Sequence, residues 1–119
     1  MSRGVTEQSA ADSASAGKVP PGASARICGG FYDGLEIAID RDWIVIGRGR
    51  SADLVIAEPT ISRAHAALGW DSGGFFVQDL GSTNETRVDG ARIERRTLKN
   101  GDRVQMGRLV IEVALPPNA

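Results

Sequence analysis

Between positions 25 and 115 the apolar residues come only in short runs, and each run is closed by Gly, Asp, Asn or Pro. That pattern leaves little room for helices. A surface helix needs an apolar stripe carried over several turns without a breaker, whereas short runs bounded by turn residues are what strands leave in a sequence. Residues 25–29 make the first run, and Asp33-Gly34 turns the chain into the alternating stretch 35–39. Runs at 43–46, 53–57, 64–70 and 75–79 follow. Pro59 argues against a long helix over 54–68. Asp89-Gly90 fits a two-residue hairpin turn, because such turns need positive φ. Asn100-Gly101 breaks the chain again, 104–106 and 109–115 complete the set, and Pro116-Pro117 stops the pairing. The spacing predicts an all-β antiparallel sandwich of about ten strands.

Residues 1–23 are different. They are dominated by Ser, Ala, Gly, Pro and single polar residues, with no aromatic. Such a segment cannot bury enough surface to offset its ordering entropy. The expected organisation is a disordered tail over 1–23, one domain over 24–116, and a short C-terminal tail over 117–119. A chain of 119 residues is long enough for one proper core.

Several function classes fall away. Net charge is −1 with Lys and Arg spread along the chain, which argues against a nucleic-acid surface. No apolar run approaches the ~20 residues that span a bilayer, and no secretory stretch opens the chain. The sequence therefore reads as soluble, cytoplasmic and free of membrane contact. Cys28 is the only cysteine and His65 the only histidine, so neither an internal disulfide nor a zinc set is available. Gly47-Arg48-Gly49-Arg50 lacks the Lys-Ser/Thr of a nucleotide loop. No cofactor is expected. Ser62 and His65 have the chemistry of a nucleophile and a base, but no nucleophile elbow or oxyanion donor set accompanies them. No catalytic residue is assigned.

What remains is a series of polar residues placed where strands give way to turns. Gly47-Arg48 closes one apolar run, Ser62-Arg63-Ala64-His65 precedes another, and Ser82-Thr83-Asn84 follows a third. Singly, each has a plain reading. Arg48 reads equally as a solvated arginine or as a guanidinium fork for an anion. Ser62, Thr83 and Asn84 suit turns. His65, at the mouth of an apolar strand, reads as a buried, hydrogen-bonded residue. Together they supply donors for gripping an anion and a peptide backbone.

The order of these motifs resembles the forkhead-associated (FHA) domain family, bacterial type, from Ala25 to Leu115. The matching elements are Gly47-Arg48, Ser62-Arg63-x-His65, Asp79-x-x-Ser82-Thr83-Asn84, Val88-Asp89-Gly90, Leu98-x-x-Gly101-Asp102 and Gly107. The resemblance implies an eleven-stranded sandwich whose loops at one end bind phosphothreonine peptides in Ser/Thr kinase signalling, a mode that uses arginine clusters. It implies that Arg48 and Ser62 hold the phosphate and that Arg63 adds charge or its N–H. Thr83 then lies beside the phosphothreonine, Asn84 bonds the peptide backbone, and Gly47 and His65 support the loops. The expected partner is a phosphothreonine protein or peptide, met by a monomer. The chain's own tail is a second candidate through Thr6, its only threonine. Glu85 stands where the family pattern has glycine, and it is expected to weaken binding. The alternative is a phosphate-independent interaction domain of the same fold.

Overall fold

The computed structural model describes residues 19–117, so Thr6 and most of the expected tail lie outside the described residues. Eleven strands are present: β1 Ser24–Ile27, β2 Glu36–Ala38, β3 Trp43–Gly47, β4 Leu54–Val55, β5 Ala66–Asp71 and β6 Gly74–Asp79. They continue with β7 Thr86–Val88, β8 Ala91–Ile93, β9 Arg95–Thr97, β10 Arg103–Met106 and β11 Leu109–Ala114. No helix occurs among the described residues.

The strands form two sheets, one ordered β2-β1-β11-β10-β7-β8 and the other β4-β3-β5-β6-β9. Alternation along the strands decides which faces meet. In β3, Ile44 and Ile46 are buried while Trp43 is exposed; in β10, Val104 and Met106 are buried while Arg103 and Gln105 face water. Leu68 and Val77 from one sheet and Ile111 and Val113 from the other join the same core. Val19 and Ala23, on the tail side of the boundary expected from composition, also pack against it.

Three local features depart from the sequence pattern. The pairing is antiparallel except between β3 and β4, which run parallel with Ile46 opposite Leu54. The loop after Gly47 curls back on itself, with the Ala52 N–H donating to Gly49 O at 3.1 Å, so the chain re-enters the edge in its original direction. The run expected at 53–57 is strand only over Leu54–Val55, and the Asp53 carboxylate before it accepts the Val45 N–H at 2.8 Å. Strand β9 carries no apolar alternation, since it is a three-residue edge of arginines and a threonine. The Asp89-Gly90 turn joins β7 to β8 with φ of 53° and 80°, as a primed hairpin requires.

Topology gathers five loops at one end. β3 ends there at Gly47, β5 begins there after His65, and β6 ends there at Asp79. The β10–β11 turn joins them, since the Arg108 N–H donates to Thr60 Oγ1 at 2.7 Å. The β1–β2 tip lies at this end too, because the Cys28 N–H donates to Val110 O at 2.9 Å.

Candidate functional site

The loops meet through a close backbone approach that glycine makes possible. A Cβ on Gly47 would stand 2.0 Å from the Arg63 carbonyl oxygen, a collision of backbone with side chain that nothing nearby can relieve. With no Cβ there, the Arg48 N–H donates to Ser62 O and the Gly49 N–H to Arg63 O, both at 3.0 Å. The Arg48 side chain then folds over the second loop, its Nε donating to Ile61 O at 3.0 Å. That single bond sets the plane of the guanidinium. Its two terminal amino groups have no partner among the described residues, and the side chain is exposed. Arg63 is likewise exposed with no carboxylate in ion-pair range among the described residues. By contrast Arg26, Arg87 and Arg95 are each paired with an acid.

His65 fixes the 62 and 85 loops relative to each other. It is fully buried. Its Nδ1 accepts the Ser62 N–H at 3.0 Å, which leaves Nε2 to carry the proton and donate to Glu85 O at 2.8 Å. Ser62 Oγ accepts the Thr83 N–H at 3.0 Å. A hydroxyl that accepts in this way keeps its own proton for another acceptor. The imidazole therefore faces the Ser62 backbone and not its hydroxyl, which is not the arrangement of a nucleophile with its base.

Asn84 reaches across to the 56–65 loop, its Nδ2 donating to Thr60 O at 2.7 Å. Its Oδ1 has no partner among the described residues. Thr60 is a junction that sequence reasoning missed. Its hydroxyl donates to the Glu58 carboxylate at 2.7 Å and accepts the Arg108 N–H. Those bonds from the Thr60 hydroxyl and N–H hold the Glu58 carboxyl below its ordinary value. Thr60 also explains Gly107, where a Cβ would stand 2.4 Å from Thr60 O. No local pattern marks Thr60 as a junction, because Asn84 and Arg108 are distant in sequence.

Asp79 is the second residue without an assigned role. Partial burial alone would raise its carboxyl. Bonds from the Ser82 and Thr86 hydroxyls and from the Ser82 and Gly81 N–H groups outweigh that and hold it below its ordinary value. These bonds shape the turn that presents Ser82, Thr83 and Asn84. The Asp-x-x-Ser spacing was the available signal, since such carboxylates bond the backbone two and three residues on.

Glu85 has φ of 67°, a left-handed conformation that favours glycine. Its carboxylate turns away along the β7–β8 hairpin, 2.7 Å from Arg87 and 3.6 Å from Arg92. The structure thus brings Arg48, Ser62, Arg63, Thr83 and Asn84 onto neighbouring loops at one end, with Gly47 and His65 beneath them. Among the described residues no group of His, Cys, Asp and Glu is placed to hold a metal.

Comparison with known proteins identifies the family. The family model described as the FHA domain matches residues 44–107. The glycogen accumulation regulator GarA of Mycolicibacterium smegmatis is 35% identical over 63% of this chain and 48% of its own length. The oxoglutarate dehydrogenase inhibitor of Corynebacterium diphtheriae is 33% identical over 72% of this chain and 60% of its own. The chain thus spans about half to three fifths of the length of these two relatives. A solved FHA domain, studied for phosphothreonine-dependent interactions, superposes with a TM-score of 0.73 at 28% identity, covering 80% of this chain and 97% of that one. The two sheets, the loop contacts and these matches agree: the chain belongs to the FHA domain family.

Proposed function

We propose that the chain is a phosphothreonine-dependent peptide-binding module of Ser/Thr kinase signalling, and that the loops around Arg48 read the phosphate. One observation carries this: the Arg48 guanidinium is oriented by Ile61 O while both its terminal amino groups stay unpaired among the described residues, beside a Ser62 hydroxyl that accepts from Thr83. A phosphothreonine carries close to two negative charges and only acceptor oxygens, so it needs converging donors. Arg48 and Ser62 supply them, and Arg63 adds charge. Thr83 flanks the phosphothreonine. Asn84, anchored through Thr60, offers its free Oδ1 to a ligand N–H. The site is built before the ligand arrives, so little ordering entropy is lost on binding.

The same reading assigns no catalytic role and takes the chain as a cytoplasmic monomer with one domain over 24–116, against which Val19 and Ala23 also pack. No helix among the described residues is long and apolar enough to cross a membrane. Thr6, once phosphorylated, is a candidate internal ligand at high effective concentration. The phosphate-independent alternative loses its motive, because the Glu85 carboxylate is held by Arg87 and Arg92.

The test is a degenerate peptide array carrying phosphothreonine, phosphoserine or threonine at one fixed position, probed with the full chain. Selection of phosphothreonine members over their threonine counterparts is expected. Equal capture of both would overturn the proposal.

A further inference from the structure

The β1–β2 tip stands at the same end as these loops and carries a side chain they do not use. Phe31 is 94% exposed, far more than the other exposed large apolar residues, Val55 at 48% and Leu35 and Trp43 at 41%. The tip that displays it is tightly bonded. The Asp33 carboxylate accepts the Gly29 N–H at 2.6 Å, the Gly34 N–H donates to Ile27 O at 2.8 Å, and the Leu35 N–H to Tyr32 O at 3.0 Å. The Phe31 ring meets Tyr32 edge-on, with centroids 5.1 Å apart and planes at 82°. The Tyr32 hydroxyl in turn accepts the Ala57 N–H at 3.1 Å. Tip and recognition loop are therefore one braced surface, linked from Tyr32 through Ala57 to Thr60 and Asn84.

A rigid aromatic held out into water is the kind of group that anchors an interface, because it brings large apolar area with little ordering cost. We infer that Phe31 is an apolar anchor for the segment flanking the phosphothreonine of a bound ligand, which rests on the phosphothreonine reading above. Ala57 and Thr60 are separated by at most about 11 Å of chain. An extended ligand advances ~3.3 Å per residue and crosses that span in about three residues, so the side chain that meets Phe31 lies several residues from the phosphothreonine.

Area favours this occupant over a second copy of the chain. One aromatic side chain buries ~150–250 Å², well short of the ~1,200 Å² a stable protein pair needs, but enough to add to a ligand already held by its phosphate. The chain's own N-terminal segment is a poor match, since the large apolar side chains of residues 1–18 are only Met1 and Val5.

The test uses phosphothreonine peptides with Gly/Ser/Ala flanks in which one leucine is walked outward on each side. Wild type, Phe31→Ala, Phe31→Leu and Arg48→Ala full chains are titrated with each. Wild type is expected to bind ~10-fold tighter with leucine at one position several residues out on one side, a gain typical of an interface anchor. Phe31→Ala should flatten the profile while holding the affinity for the leucine-free peptide, and Phe31→Leu should retain part of the maximum. Arg48→Ala should lose every peptide; if it binds them all, the phosphate reading fails on its own account. An identical leucine profile in wild type and Phe31→Ala overturns the anchor. So does loss of the leucine-free peptide in Phe31→Ala, or sedimentation showing that the substitution abolishes self-association.

Discussion

His65 Nε2 lies 2.8 Å from the carbonyl oxygen of Glu85, a residue twenty positions further along the chain, while Nδ1 accepts from the backbone of Ser62. One buried ring thus sets the spacing of the loops that carry Ser62 and Asn84.

His65→Ala removes both bonds and leaves the part-buried Ser62 N–H and Glu85 carbonyl without partners. Each orphaned group costs about 1–3 kcal/mol. The expected loss is roughly 2–4 kcal/mol in urea denaturation, with weakened phosphopeptide binding at temperatures where the variant stays folded. A variant as stable as wild type would remove His65 from this bracing role.

At Glu85 two effects separate. The left-handed backbone costs a residue with a side chain ~1 kcal/mol relative to glycine. Separately, the Glu85 carboxylate shares its charge with Arg87 and Arg92. Half-exposed pairs of this kind contribute only ~0–1 kcal/mol. Glu85→Gly should therefore change stability by less than about 1 kcal/mol and tighten a neutral phosphothreonine peptide ~3-fold at low salt as Arg87 and Arg92 are released. Glu85→Gln keeps the side chain and loses the charge, so it should reproduce the binding gain without the backbone relief. Unchanged affinity in both variants would make the position neutral.

Asp79 makes a prediction in pH. Its carboxyl is held below the ordinary value in the folded state. Its contribution to stability is therefore present above the unfolded value of ~3.9 and is lost as pH falls through the lowered folded value. Asp79→Asn, with one acceptor oxygen in place of a carboxylate, should cost roughly 1–2 kcal/mol at neutral pH. The gap between wild type and variant should close below about pH 4. A gap that stays constant from neutral to acid pH would show that ionisation of Asp79 does not support the turn.

The sandwich was legible because its strands are short, alternate in burial and end at turn residues, as β3, β10 and β11 do. Strand β9 was not, since an exposed edge of arginines carries no alternation. The parallel β3–β4 pair was hidden because pairing direction depends on how the 48–53 loop curls, and no residue type encodes that alone. At the site, residues such as Arg48 and His65 stand in ordered motifs and could be singled out. Thr60 could not, because its role exists only when Asn84 and Arg108 arrive from elsewhere in the chain. The glycine of the family pattern singled out Glu85, whose φ is positive, but nothing in the sequence marked the capture of its carboxylate by Arg92 across the hairpin.

The central claim is that Arg48 reads a phosphate. The direct measurement is calorimetric titration of one array-selected phosphothreonine peptide and its threonine form into wild type, Arg48→Ala and Arg48→Lys. Charge-assisted bonds of this kind are worth about 1.5–3 kcal/mol each, so Arg48→Ala should weaken the phosphopeptide by ~100-fold or more while melting as wild type does. Arg48→Lys should recover only part, because an ammonium cannot bond Ile61 O and present a fork at once. Wild-type affinity in a folded Arg48→Ala, or equal wild-type binding of the phosphorylated and unphosphorylated peptides, would contradict the account.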